Sequence, residues 1–413
     1  MKILVSAYAC EPNRGSEPGV GWNVVRELSR DFEIWVLTRE NNRAVIEKSG
    51  EGWVSRVHWI FVDPPKHLTC WKVGSRGLFL FYLIWQAFAF GKARDLCKAI
   101  NFDIVHHLTF GSILPVSPMV WLGIPFVSGP LGGGESAPDH LLSGYSARFR
   151  WRYACRRMAR RFALQFVGRA YRRAAWCLAA NEQTKAALES VGVTKVSVLH
   201  QSGISSGEME KFSKISRGEV DPSATLDLVA ASRLVSWKAI DLAIDAVSLV
   251  RKKGYSVHLT ILQDGPEMNR LAGQVDRLGL SDCVTFCGRL ESLTDAHERI
   301  ANADALIHPA FQEAFGQVCL ESLALGVPVI CLDWAGPGMI VDLKCGYKIP
   351  VGSREDVVNG LADACQAVLQ NRANRAEVAR YARQRAAEFF DWKFVSSGVK
   401  ESYLAAQRQK EVS

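Results

Sequence analysis

Glu313 and Glu321 stand eight residues apart in the segment HPAFQEAFGQVCLESLALGVPVI, residues 308–330. This pattern predicts a strand ending at His308, a loop holding Glu313, and a helix from about Gly316 to Leu325. Gly326 follows as a left-handed cap, then Pro328 and another apolar strand. A carboxylate just ahead of a helix N-terminus is kept ionised by the helix dipole, and the Ala314-Phe315-Gly316 turn lets backbone N–H groups approach an oxyanion. A second carboxylate one to two turns into the helix can accept from vicinal hydroxyls, as a ribose or another sugar presents them. Two isolated glutamates would be unremarkable; in this frame they read as a site.

A pair of cations lies upstream. AASRLVSWKAID follows the apolar run LDLVAA and sets Arg233 and Lys238 five residues apart around a turn. At the carboxyl end of a parallel strand such a pair suits a diphosphate, the guanidinium by bidentate hydrogen bonds and the ammonium as a point charge. The first strand runs into CEPNRGSEPGVGWNVV, so Gly15, Gly19 and Gly21 fall in a strand-to-helix turn of the kind that binds anions. Their spacing is not GxGxxG, and the second strand, IWVLTRENN, ends without a clear ribose-binding acid, although Glu40 is near. A dinucleotide dehydrogenase is therefore disfavoured. Without their neighbours, the cations could be surface charges and the glycines a simple bend.

The elements that must hold these residues are those of an α/β protein. Short apolar runs alternate with helix-length amphipathic segments, the signature of parallel sheets covered by helices. Strands are predicted at 3–7, 34–38, 57–62, 104–108, 126–128 and 176–179, and again at 226–231, 257–262, 284–287, 305–308 and 329–332. Residues 200–225, rich in Ser, Gly and charge, read as the boundary between two arrays. After residue 373 the pattern is helical with a break near 390–392, so a last helix is expected to leave the second array. A chain of 413 residues has room for two to three domains. Its 48% hydrophobic and 22% charged residues exclude disorder and a multi-span membrane protein. Eleven cysteines without a CxxC argue against a zinc site or a disulfide framework and suit a reducing compartment. The opening MKILVSAYACEP reads as a buried strand rather than a secretory leader, which predicts a cytoplasmic protein.

The net charge of +8 is clustered. Residues 148–173 carry ten arginines and no acid, interleaved with aromatic and aliphatic side chains. A basic amphipathic helix of this kind binds an anionic membrane surface, and Arg148, Arg152, Arg156 and Arg160 are its expected contacts. A solvated charged face is the alternative, weakened by the mutual repulsion of uncompensated arginines; nucleic acid is not an expected partner. Residues 78–90 are apolar at twelve of thirteen positions, too short to span a bilayer, and predict a buried helix.

Four motifs in order give nearly the whole chain a resemblance to the retaining glycosyltransferases of family 4, which have the GT-B fold. EAFGQVCLESLALGVPVI resembles their donor motif, a Glu, seven residues and a second Glu. SRLVSWK resembles the G-R-L-x-x-x-K element, QDGPE the G-D-G-P-E turn and VTFCGRL the V-x-F-x-G strand. CEPNRGSEPGVGW, DIVHHLTFGS and GPLGGGE look like one branch of that family. The resemblance implies two Rossmann-like, doubly wound parallel-sheet domains facing across a cleft. Residues 1–205 would form the acceptor side and 206–389 the donor side, with a helix at 390–413 packing back on the first. By the same resemblance Arg233 and Lys238 would hold the donor diphosphate, Glu313 would face the transferred sugar and Glu321 the nucleotide ribose. Phe286, Arg289 and Leu290 would lie near the base, backbone N–H groups around Phe315, Gly316, Gln317 and Val318 would meet the phosphates, and Gly15 would close the cleft. His106 or His107 would sit near the reacting carbon, and Gly133, Gly134 and Glu135 on the acceptor side. Ser232, Ala239 and Gln263 stand where the family has glycine, changes that shift loops but remove no charge.

The implied reaction moves a sugar from a UDP- or GDP-sugar to an acceptor hydroxyl with retention and without a cofactor. No Asp-x-Asp occurs in the chain, so no metal is expected on the diphosphate. The arginine-rich segment and residues 78–90 together point to a lipid-linked glycan acceptor at the inner membrane face, in surface polysaccharide synthesis, with a soluble acceptor left open. One rival is a non-catalytic nucleotide-binding scaffold on the same fold, against which the intact Arg233, Lys238, Glu313 and Glu321 set argues. The other is a GT-B epimerase, which needs no acceptor, or a phosphorylase, which needs free phosphate in place of a nucleotide.

Overall fold

The apolar runs form two sheets in which every paired strand runs parallel. The first contains β1 (Lys2–Ser6), β2 (Glu33–Thr38), β3 (Val57–Phe61), β4 (Ile104–His107), β5 (Phe126–Leu131), β6 (Trp176–Ala179) and β7 (Val196–Val198). Their order is β3-β2-β1-β4-β5-β6-β7. The second contains β8 (Leu226–Ala231), β9 (Val257–Leu262), β10 (Val284–Gly288), β11 (Ala305–His308), β12 (Val329–Leu332) and β13 (Gly346–Ile349), in the order β10-β9-β8-β11-β12-β13. Strand order reverses at β1/β4 and again at β8/β11, and the carboxyl ends of such neighbours are where open α/β sheets bind ligands. β7 and β13 are additions to the predicted set: VSV and GYKI are short and diluted by Ser, Gly and Lys. β5 runs three residues beyond its predicted end, through Gly129-Pro130, a pair that reads as a strand stop.

The computed structural model describes all residues except 73, 75, 216–224 and 413. The chain divides into two units, one of residues 1–134, 158–203 and 392–413, the other of 135–157 and 204–391. The break at 203/204 lies close to the expected one at 205/206, but residues 135–157 join the second unit instead of the first. The cause is apolar: Leu141, Leu142 and Tyr145 are buried in the second unit's core, and the Tyr145 hydroxyl donates toward the Ser236 carbonyl at 2.9 Å. The expected linker is also partly ordered. Ser205 and Glu208 form a reciprocal capping box for the helix Ser206–Ser213, whose Phe212 is buried; the remainder, 216–224, lies outside the described residues.

In the first unit two apolar layers sandwich the sheet. One is built with the helices Leu78–Ala99 and Ala147–Arg172. The other includes the helix Ser16–Leu28 and the C-terminal helix Trp392–Val412, which buries Val395, Val399 and Tyr403. In the second unit the helices Ile240–Lys252 and Arg354–Gln370 cover one face. Helices Leu293–Asn302, Gln317–Ala324 and Arg375–Phe389 contribute to the other layer.

Two of the three departures from family glycine sit in left-handed backbone. Ala239 has φ 52° and Gln263 has φ 85°, a region that costs an L-residue about 1–2 kcal/mol relative to glycine. Gln263 is held there by its N–H donating to the Gly288 carbonyl at 2.7 Å. Replacing Gln263 by Gly is therefore expected to raise the urea midpoint, with a gain of up to about 1 kcal/mol after glycine's extra unfolded-state entropy; a lowered midpoint would show that the Gln side chain stabilises the turn.

Candidate active site

Of the predicted donor residues, Lys238 and Glu313 meet at the carboxyl ends of the second sheet, and backbone hydrogen bonds knit the loops there together. Leu234 N–H donates to the Asp264 carbonyl at 2.9 Å, and Phe311 N–H to the Trp237 carbonyl at 3.1 Å. Gly336 N–H reaches the Glu313 carbonyl at 3.1 Å. These links tie the segments after β8, β9, β11 and β12 to one another, and the Gln263–Gly288 bond adds β10. Beneath them, buried Asp241 pairs with Arg354 at 2.7 Å and lies 3.0 Å from the Tyr145 hydroxyl, which braces the turn that carries Lys238.

Lys238 ends a short 3-10 turn, Ser236–Lys238, and the left-handed Ala239 then aims the chain into the helix Ile240–Lys252. Its ammonium is ion-paired with Glu313 Oε2. Burial nevertheless pulls the Lys238 pKa down to about 8, with Cys319 opposing the shift, because the ammonium loses hydration in this site. His308, at the end of β11, is buried with Nε2 3.6 Å from the same Glu313 oxygen. Burial, with Lys238 beside it, holds His308 well below the usual histidine range, so the ring is neutral and the contact is no ion pair. Arg233 is exposed, and among the described residues its side chain makes no hydrogen bond or ion pair.

Gly316, with φ 94°, caps the helix Gln317–Ala324, and Gly336 packs so tightly that a Cβ there would fall 2.2 Å from the Phe315 carbonyl oxygen. The Phe315 side chain is core, leaving only its backbone for a ligand, whereas Gln317 and Val318 are half-buried in the first helical turn. In that turn Cys319 N–H donates to the Gly316 carbonyl at 2.9 Å, while the Gln317 and Val318 amides precede the first intrahelical bond. Glu321 is half-buried further along the helix, 3.3 Å from His297 Nε2, and His297 meets Phe212 edge-on. Phe286 lies on β10, Arg289 just beyond it is exposed, and Leu290 packs partly into the core. Sequence reasoning missed His297 and His308. His308 offered the same signal as the histidines at the end of the fourth strand; His297, twenty-four residues from Glu321, offered none.

In the first unit the expectation of a substrate-facing histidine is not met. His106 is fully buried, with Nε2 donating to the Gly129 carbonyl at 2.7 Å and Nδ1 accepting from the Tyr403 hydroxyl at 2.6 Å. His107 lies between the Tyr82 hydroxyl at 3.0 Å and Ser6 Oγ at 3.3 Å. Burial lowers their pKa values to about 4 and about 3, so both are neutral packing groups with occupied nitrogens. The glycine-rich turn separates by role. A Cβ on Gly19 or Gly21 would strike a backbone oxygen at 2.1 or 2.2 Å, whereas one on Gly15 would meet nothing within 4 Å. Gly15 is thus not required by packing. An overlooked residue, Glu17, accepts from the N–H groups of Phe110 at 2.6 Å and Gly111 at 3.0 Å, fixing the turn to the loop after β4.

The loop expected on the acceptor side is partly structural. Gly133 has φ 96°, and Gly134 N–H donates to Thr184 Oγ1 at 3.0 Å, with a Cβ excluded by Thr184 Cα. Glu135 is buried. On the arginine helix Arg148, Arg152 and Arg156 are exposed and Arg160 is half-buried. Arg157 on this helix pairs with Asp139 from outside it.

Residues 213–385 match the family model described as glycosyl transferases group 1. Glycogen synthase of Mycobacterium tuberculosis is 32% identical over 182 residues, 44% of this chain and 43% of that protein. The lipopolysaccharide core biosynthesis glycosyltransferase LpsE of Rhizobium meliloti is 28% identical over 192 residues, 46% and 52% of the two. The chain thus spans about half the length of these curated relatives or less. Among solved structures, sucrose-phosphate synthase of Thermosynechococcus elongatus superimposes with a TM-score of 0.63 at 18% identity over 100% of both chains. HepE of Anabaena, solved in complex with UDP, gives 0.57 at 16% identity over 97% of this chain and 99% of that one. At such identities the likeness is one of fold.

Because Lys238 is charged below about pH 8 and loses its charge above it, the affinity of a diphosphate at this lysine is expected to fall as pH rises through 8. Lys238→Arg should abolish that dependence, since a guanidinium stays charged throughout. Calorimetric titration of a nucleoside diphosphate on either side of pH 8 checks this; a flat wild-type profile would remove Lys238 from the anion site.

Proposed function

We propose, on the premise that residues 213–385 belong to the glycosyl transferases group 1 family within a chain of GT-B fold, that this protein is a retaining glycosyltransferase using a nucleoside-diphosphate sugar. The observation that carries the reading is the convergence of Lys238, Glu313 and the first-turn amides of Gln317–Ala324 at the ends of β8 and β11. In this reading the diphosphate displaces Glu313 from Lys238 and takes the uncommitted fork of Arg233. Fixed positive charge then stabilises the leaving group without a metal, the electrostatic contribution that dominates many enzymes. Glu313, released from the ion pair, faces the transferred sugar, and Glu321 accepts from the ribose hydroxyls.

The bond from the anomeric carbon to the β-phosphate oxygen breaks, and the acceptor oxygen bonds to that carbon on the same face. The acceptor's proton passes to the departing phosphate oxygen, so no protein base is needed. This fits a site in which His308 is buried and neutral and both first-unit histidines are occupied. HepE, similar in fold, was solved with UDP, which supports a uridine nucleotide as the first donor to try.

A lipid-linked acceptor at the inner membrane face is the second part of the proposal. Among the described residues no helix is long and apolar enough to cross a membrane. The arginine helix nevertheless exposes Trp151, Met158, Phe162 and Phe166 at spacings of seven, four and four residues, which keeps them on one stripe between arginines. The helix Leu78–Ala99 is not fully buried as expected: it sinks Phe81, Tyr82 and Trp85 but leaves Phe79, Leu80 and Leu83 outside. Both helices pack on the same face of the first sheet. Basic charge around exposed apolar side chains is the composition of an interfacial surface.

Incubation with UDP- or GDP-glucose and an undecaprenyl-diphosphate-linked sugar should yield free nucleoside diphosphate and a product whose new linkage keeps the donor's anomeric configuration by NMR. Epimerised nucleotide sugar formed without acceptor would overturn the transferase reading. Phe162→Ser with Phe166→Ser should release the protein from anionic vesicles in flotation, and undiminished binding would reject the membrane surface.

A further inference from the structure

The second unit carries a cavity of about 500 Å³ at the opposite ends of its strands from the donor residues. Its lining includes Asp304, which immediately precedes β11, and Pro328, which immediately precedes β12. The volume falls within the range of small-molecule sites. Four cations line it, Lys344, Arg372, Arg375 and Arg380, against two acids, Asp304 and Glu377.

Asp304 is already committed. Its Oδ2 accepts from the Asp227 N–H at 2.9 Å and from Arg372 Nη2 at 2.6 Å. Arg375 is different: its Nε and Nη2 are buried and have no hydrogen-bond partner among the described residues. Buried guanidinium donors without acceptors are costly, and native structures rarely keep them without a reason. Burial lowers the Arg375 pKa, with Asp304 opposing that shift and Arg372 reinforcing it. The walls supply apolar surface as well, from Val368, Leu343 and the rings of Tyr347 and Tyr381. The tyrosine hydroxyls are turned to Asn371 and Asp342.

We propose that this cavity binds a phosphoryl group, free or as the ester of a small sugar, through Arg375 with Arg380 and Lys344 in support. A phosphoryl oxygen pair matches the guanidinium fork, and the remaining volume with its tyrosine rings suits a hexose. The site is independent of the donor reading, because none of its lining residues belongs to the donor set. β11 nonetheless joins the two places, with Asp304 at one end and His308 at the other. Occupancy here is thereby placed four residues from the group beside Glu313.

The test is calorimetric titration of the full chain with inorganic phosphate and, separately, with a hexose 6-phosphate, in wild type and in Arg375→Gln. Lys238→Ala serves as the control for phosphate entering the donor site. Binding to wild type and to Lys238→Ala, weakened about tenfold or more in Arg375→Gln as expected for lost charged hydrogen bonds, supports the proposal. A tighter ester than free phosphate then identifies a sugar phosphate, and equal affinities identify inorganic phosphate. Arg375→Gln is expected to melt close to wild type without ligand, since the buried Nε and Nη2 give up no hydrogen bond among the described residues. Should it fail to fold, Arg380→Gln, an exposed position, must weaken binding several-fold. No binding by either probe, or unchanged affinity in the folded variants, overturns the site.

Discussion

A lysine ammonium buried against a glutamate, with a neutral histidine behind them, is the constraint around which the second unit is arranged. A buried charge is tolerated only when paired, and Lys238 has Glu313 as its carboxylate. Holding that contact requires two loops to meet from different strands. One leaves β8 and turns through a left-handed alanine; the other leaves β11 and must bend at Gly316 before its helix begins. The Tyr145–Asp241–Arg354 network stiffens the first loop, and Gly336 packed on Phe315 fixes the second. Under the proposed function, this Lys238–Glu313 contact is the one that a donor diphosphate would replace.

Much of this was legible as sequence because it is local. Eleven strands follow from apolar runs bounded by turn residues, and the helix between Gly316 and Gly326 follows from its two glycines and Pro328. The positions where the chain departs from family glycine gain a physical meaning only in the structure: Ala239 and Gln263 occupy the backbone region that glycine would occupy without strain, and Ser232 does not. What sequence could not supply is long-range. The transfer of residues 135–157 to the second unit depends on where Tyr145 finds its partners, ninety-one and ninety-six residues away. His297 meets Glu321 only because two helices pack side by side.

The histidines at the end of β4 illustrate the same limit from the other side. A strand-end His pair invites a catalytic reading, yet alternate residues of a strand face opposite layers. His106 therefore meets the C-terminal helix through Tyr403, and His107 meets the helix Leu78–Ala99 through Tyr82. Each ring joins the sheet to one of its covering helices. Glu17, an unremarkable residue in sequence, instead anchors the glycine-rich turn by gathering two backbone N–H groups, and Gly15 is left as the one glycine there that packing does not demand.

The most direct measurement is calorimetric titration of UDP, GDP and ADP into the wild-type chain and into Glu321→Ala, with a chelator present. A donor site built from Lys238, Arg233 and helix amides predicts that one of these nucleotides binds at one site per chain without metal. Glu321→Ala is then expected to bind it about tenfold more weakly, the loss expected for hydrogen bonds to a charged group. Failure of all three to bind, or undiminished affinity in Glu321→Ala, would contradict a nucleotide donor held by these residues.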